Sequence, residues 1–153
     1  DAKAARMAAK VERASIRARK EAIKTIAQLI ADAQIVFNAF IRERDKGKGC
    51  FVCGRPFTDK PGQVQHAGHV RSRGAAGHLR FNEDNCHGEC EGCNGPHRAK
   101  PHQIEAGGIA RIGAERYAAL CADNTPHKWQ RDELIAIKHE YRAKLKELKG
   151  RTC

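Results

Sequence analysis

Two Cys-x-x-Cys pairs, Cys50/Cys53 and Cys90/Cys93, are the residues whose type and spacing most directly specify chemistry in this chain. Within each pair a tight turn brings both thiolates to one side, and two such bites complete the tetrahedron that zinc makes with sulfur at about 2.3 Å. The spacing therefore predicts a structural zinc site. With every position taken by thiolate the ion does no catalysis, and its use is to fix what lies between the pairs. Thioredoxin-like redox chemistry would instead open a helix of a βαβ unit with one pair, and no such pattern surrounds either. Cys86 could pair with Cys90, but the matching two-residue spacers favour Cys90 with Cys93. Cys121 is expected to be a core thiol and Cys153 a loose end.

Between the pairs lies a second set of reactive side chains. His66 and His69 fall on a presumed strand in "GQVQHAGHV"; Arg71, Arg73 and a Gly-rich turn follow, then a second β-like piece, "HLRF", then Asn85 and His87. A neutral imidazole can take a proton from water near pH 7, arginine grips phosphate with two prongs, and an Asn carbonyl orients an imidazole or binds a hard cation. The inventory fits phosphodiester hydrolysis. A lone histidine is more often a solvated or packing residue; it is the clustering between zinc pairs that points to His69 as catalytic.

These residues need elements to position them. The chain has 153 residues, 41% of them apolar, enough for one domain or a small core with helical extensions. A formal charge of +11 attracts polyanions, nucleic acid first among them. No apolar run is long enough to span a bilayer, and the basic opening lacks the apolar core of a signal peptide, so neither a membrane nor export is expected. Seven cysteines without an export signal argue for metal rather than a disulfide framework.

The charge divides the chain. Residues 1–48 hold twelve Lys or Arg against six acids, 49–105 seven against six, and 106–153 ten against six, so the basic excess lies in the flanks. In the first flank Ile23, Ile26, Ile30, Ala33, Phe37 and Phe40 recur at helical spacing, a stripe that must pack on its own domain or on a second copy. Upstream, Lys3, Arg6, Lys10, Arg13, Arg17, Arg19 and Lys20 make either a solvated helix or a phosphate-gripping arm. In the last flank Leu134, Ile137, Tyr141, Leu145 and Leu148 predict a helix, with a start signal at Thr125 and Pro126 and a stop at Gly150. A shorter helix is expected over Ala114–Leu120, with Tyr117 and Leu120 inward; His127 and His139 are expected to be solvated. The middle, 49–105, has too few large apolar residues to hold itself, so bound metal, typically worth about 10–16 kcal/mol in small zinc modules, and the flanking helices must brace it.

"HVRSRG", Asn85 and "CEGCN" together resemble the HNH, or ββα-metal, nuclease pattern. More closely, "FNAFIRERDKGKGCFVCGRP", "AGHVRSRGA", "LRFNEDNCHGECEGCN", "RIGAERYAAL" and "HKWQRDELIAIKHEYRAKLKELK" are similar to the NinG family of lambdoid phages, also called Rap, over residues 37–149. The resemblance implies an α+β fold: a zinc-braced ββα-metal core between long N-terminal and C-terminal helices. It implies a phage-encoded, structure-specific DNA endonuclease of recombination in the bacterial cytoplasm, cutting branched DNA such as Holliday junctions and D-loops with Mg²⁺ or Mn²⁺. His69 would be the base that activates water, Asn85 would support its imidazole, and Asn94 would be the helix ligand to the catalytic metal. His87 matches a family histidine acting at the metal, at the phosphate or behind them.

Many HNH enzymes carry Asp or His before the base, whereas this chain has Gly68. His66, on the same strand face as Gly68, is a substitute ligand, as are His97 and Asp84. Arg71, Arg73, Arg80 and Arg98 are the expected phosphate contacts. Two cuts per junction imply two symmetry-related active sites, hence a homodimer, with the Ile/Phe stripe of the first flank as its seam. The alternative is a zinc module that binds DNA without cutting it.

Overall fold

The computed structural model describes residues 1–95 and 99–151. In chain order its elements are α1 (Ala2–Ala22), α2 (Ile26–Asp45), β1 (Gln65–His69), β2 (Cys86–Cys90), α3 (Glu91–Asn94), α4 (Pro101–Ile112), α5 (Ala114–Ala122) and α6 (Arg131–Gly150). Single 3₁₀ turns stand at Gly77–Leu79 and Glu83–Asn85. His97, Arg98 and Cys153 lie outside the described residues. This is an α+β chain with a two-stranded sheet, and among the described residues no helix is long and apolar enough to cross a membrane.

α2 begins where local chemistry requires it. Thr25 Oγ1 accepts from the Gln28 amide at 3.2 Å, while Gln28 Oε1 accepts from the Thr25 amide at 2.8 Å, closing a reciprocal cap. Its apolar stripe, Leu29, Ala33, Phe37, Phe40 and Ile41, is buried against Leu134 and Tyr141 of α6, with Phe81 and Trp129. Phe37 stands edge-on to Tyr141 at 4.7 Å and to Phe81 at 5.7 Å, the favoured aromatic geometry. The seam expected between two copies is therefore an intrachain contact over Ala33, Phe37 and Phe40. The stripe of α6 is the complementary face, and only Ile23 and Ile26 of the predicted seam stay exposed.

α1 buries none of its residues. It is tethered at its end, where Arg131 donates to the carbonyls of Glu21 and Lys24, and Lys138 bridges Glu21 (3.2 Å) and Asp32 (2.9 Å).

The hairpin is antiparallel, pairing His66 with Glu89, Gly68 with His87 and His69 with Cys86. The second strand is "CHGEC"; "HLRF" is not one. Leu79 and Phe81 imitate strand alternation but plug different clusters, Leu79 with Ala76 and Leu120, Phe81 with Phe37 and Tyr141; Leu79 ends a 3₁₀ turn, and Arg80 between them is helical (φ −62°, ψ −27°) rather than extended.

α4 runs across the expected boundary at 105/106 and lies close to the first knuckle. A Cβ on Gly107 would sit 2.1 Å from the Phe51 carbonyl, an approach only glycine permits. α5 starts where predicted, runs two residues past the expected end and buries Leu120, whereas Cys121, expected in the core, is exposed, one position round the helix from the buried face. α6 starts at Arg131 rather than at the Thr125/Pro126 signal; the Gln130 N-cap amide donates to Glu133 Oε2 (3.3 Å).

Candidate metal centre and active site

The four predicted cysteines converge. Ligand atoms of Cys50, Cys53, Cys90 and Cys93 all lie within 4.8 Å of one another. Cys53 Sγ and Cys90 Sγ are 3.7 Å apart, close to the edge of about 3.8 Å that a sulfur tetrahedron of 2.3 Å radius has. The first pair forms a knuckle in which Gly54 N donates to the Cys50 carbonyl (2.9 Å) and Cys50 N to that of Arg55 (2.8 Å). Gly54 turns there at φ +73°, a left-handed conformation that favours glycine. The second pair brackets the step from β2 into α3. Burial, then the neighbouring Cys90 and Cys53 sulfurs, push the Cys93 thiol up, a shift that a divalent cation taking the thiolates as ligands would reverse. Cys86 belongs elsewhere: its Sγ lies 3.9 Å from His69 Nδ1, and burial pushes its thiol up.

Two links fasten the hairpin, one to the first knuckle and one to α2. Phe51 N donates to the Gly88 carbonyl (2.9 Å), joining knuckle to β2. Asp45, fully buried at the end of α2, accepts from Gly88 N (2.8 Å), Arg44 (2.8 Å) and Lys48 (3.1 Å). Burial alone would raise this carboxyl, but these donors hold it far below the usual range. Arg44 also donates to the carbonyls of Cys86 (2.8 Å) and Glu83 (3.2 Å). Sequence reasoning missed both residues. The available signal was an acid directly before the first knuckle in the basic run "RERDKGKGC".

His69 ends β1 and lines a cleft of about 270 Å³ with Ala67, Ser72, Arg73, Gly74 and Asn94. Its Nε2–H donates to the Arg80 carbonyl at 3.0 Å, which fixes the tautomer and leaves the lone pair on Nδ1. Burial, then the charges of Arg73 and Arg80, hold the imidazole below its ordinary value. It is neutral at pH 7, and its accepting nitrogen lies 3.9 Å from the buried Cys86 sulfur.

The other expected site residues divide. Asn94 shares the His69 cleft, as does Arg73. Asn85 is fully buried but does not touch the imidazole: its amide holds Arg71 N (2.8 Å), Arg71 O (3.0 Å) and Leu79 O (3.2 Å), so it braces the backbone on both sides of the loop. His87 sits opposite Gly68, on the strand face away from His69. Its Nε2 donates to the Asp84 carbonyl (2.9 Å) and Nδ1 lies 3.3 Å from Arg44, so both nitrogens are engaged; burial, then Arg44, pulls its pKa to about 4.

Arg71 is not free for phosphate. It donates to the carbonyls of Leu120 (3.0 Å) and Asp123 and to Asn124 Oδ1 (2.8 Å), clamping the end of α5. Asp84 is ion-paired with Arg116. His66 faces away from His69, opposite Glu89. Glu89 is buried, and a Cβ on Gly68 would lie 1.9 Å from its Oε2. Glycine precedes His69 because this carboxylate occupies the space.

The fold and cluster define a small α+β chain with a metal-competent four-cysteine centre bracing a hairpin. A family described as "Bacteriophage Lambda NinG protein" matches residues 1–151. The chain is 39% identical over 138 residues to Protein ninG of Escherichia phage lambda, covering 88% of this chain and 64% of that protein. It is 38% identical over 137 residues to Protein ninG of Salmonella phage P22, again 88% and 64%, and 38% over 138 to that of Escherichia phage 933W, 88% and 65%. No solved structure matches significantly. The chain belongs to the NinG family and spans less than two thirds of the length of these relatives.

Proposed function

We propose that the chain is a metal-dependent endonuclease acting on branched DNA, with a four-thiolate zinc as brace and His69 as general base. The observation that carries this reading is the surroundings of His69. The imidazole is neutral, its tautomer is set by the Arg80 carbonyl, and it opens on a cleft lined by Arg73 and Asn94. Cations beside a neutral base attract the phosphate and leave the base able to take a proton from water.

The chain also offers a donor for a hard divalent cation such as Mg²⁺ or Mn²⁺. Glu89 and His66 lie on the other strand face, away from His69, so the oxygen donor at the cleft is Asn94. Oxygen donors suit such ions, and a bound cation would polarise the phosphate. Asn85 acts indirectly, holding the backbone next to the Arg80 carbonyl that orients His69. Two cuts per junction call for two copies of the chain, arranged without Phe37 and Phe40, which its own core uses.

Cleavage of a synthetic four-way junction and of linear duplex, with Mg²⁺ or Mn²⁺, tests the reading. Junctions should be cut, and His69→Ala should lower the rate about 10²- to 10⁴-fold while zinc content and junction binding stay unchanged. Undiminished cutting would remove His69 from the role. Tight junction binding with no cutting under either cation would favour the zinc DNA-binding module.

A further inference from the structure

A second cleft lies on the other side of the loop that lines the His69 cleft. It has a volume of about 410 Å³, within the range of small-ligand sites, and is lined by Gly77, His78, Arg80, Thr125, His127 and Trp129, among others. Trp129 is the sole tryptophan. Its Nε1–H donates to the Gly77 carbonyl (3.2 Å) and Phe81 meets it edge-on at 5.0 Å, so the indole is a fixed wall. His127 stands 4.3 Å from it, and its ring is solvent-exposed.

Arg80 supplies the anion chemistry. Its Nε is buried and has no hydrogen-bond partner among the described residues. Burial, then the nearby charge of Arg73, lowers its pKa, and no carboxylate counters that shift. A desolvated cationic donor without a partner is costly, and an anionic oxygen would relieve it. The same residue touches both clefts, since its carbonyl accepts the His69 Nε2–H while its side chain lines the tryptophan cleft.

We propose that this cleft is a subsite for one unpaired nucleotide of the DNA substrate, its base against Trp129 and His127 and its phosphate on Arg80. The identity of the polymer rests on the nuclease reading. One loop lines both clefts, Ser72–Gly74 at His69 and Ala75–Arg80 at the tryptophan, so a strand bound at His69 would run beside this cleft. In intact duplex that base is paired and stacked, so entry requires unpairing, which is already met at a branch point. Stacking on aromatic rings accepts any base, which gives selection for structure without selection for sequence.

Trp129 fluorescence reads the site directly. Titrating the full chain, without added divalent cation, with single-stranded oligothymidylate should quench the emission, while an abasic strand of equal length should bind without quenching. His127→Ala should weaken oligothymidylate binding about fivefold and leave abasic-strand binding unchanged, whereas Arg80→Gln should weaken both. His127 is exposed and its variant gives up a surface contact to Glu133 Oε2 (3.0 Å), so it tests stacking while leaving the core in place. Equal quenching by the abasic strand or by blunt duplex would overturn the subsite, as would unchanged affinity in both variants. Quenching by a protein that cuts no DNA would keep the subsite and remove the nuclease reading; junction cutting without quenching would do the reverse.

Discussion

The α2–α6 core and the cysteine-braced hairpin are held by different forces. The first is aliphatic and aromatic: Leu29, Phe37, Ile41 and Leu134 are almost wholly excluded from water, and ring contacts lock their register. The second buries Asp45, Asn85, His87 and Glu89 together with three of its cysteines, Cys50, Cys86 and Cys90. Apolar burial is non-directional and tolerates repacking, whereas buried polar groups hold only while each partner is in place. The scaffold can therefore lose a contact and survive, but the site region should fail as a unit.

Breaking the metal centre is the largest test of that contrast. Cys90→Ser should abolish zinc binding and strip amide-exchange protection from β1 and β2 while α2 and α6 keep theirs; a hairpin that stays protected without zinc would contradict it. Phe37→Ala, in the other region, should cost about 3–5 kcal/mol in urea unfolding and leave one zinc per folded molecule. Zinc loss in that variant would mean the two regions are not separable.

His87 sharpens the comparison by pH. Its pKa is about 4 in the folded chain and about 6.5 in the unfolded one. Because the folded value is the lower, the neutral ring's contribution is complete above pH 6.5 and is lost as pH falls through 4, about 3 kcal/mol in all. His87→Gln should flatten that part of the stability profile relative to the wild type, and an unchanged slope would assign the acid sensitivity to other groups, Asp45 and the sulfurs among them. The smallest effect separates two arginines. Arg73→Ala should reduce the log–log salt slope of DNA binding by about 0.9, the release from one phosphate, whereas Arg71→Ala should leave the slope alone and lower stability by releasing the end of α5. A lower slope in Arg71→Ala would return that residue to the DNA.

Much of this was legible in the residues. The cysteine quartet followed from spacing, since a turn of fixed length decides which sulfurs can meet. The stripes of α2 and α6 followed from helical periodicity, though not the fact that they face each other. "HLRF" misled because alternation reports which side chains are buried and not whether they enter the same cluster. His87 and Arg71 misled because identity and proximity to the site say nothing about prior engagement.

By itself, then, the sequence determined the two cysteine bites and the two amphipathic helices, because each depends on neighbours within a few residues. Tertiary structure alone decided that Arg71 clamps α5 while Arg80 Nε has no partner among the described residues. It also decided that His69 and His87 face opposite ways, and that Glu89 fills the space above Gly68. The physical reason is that a buried polar group's role is set by partners distant in sequence, which no local pattern records.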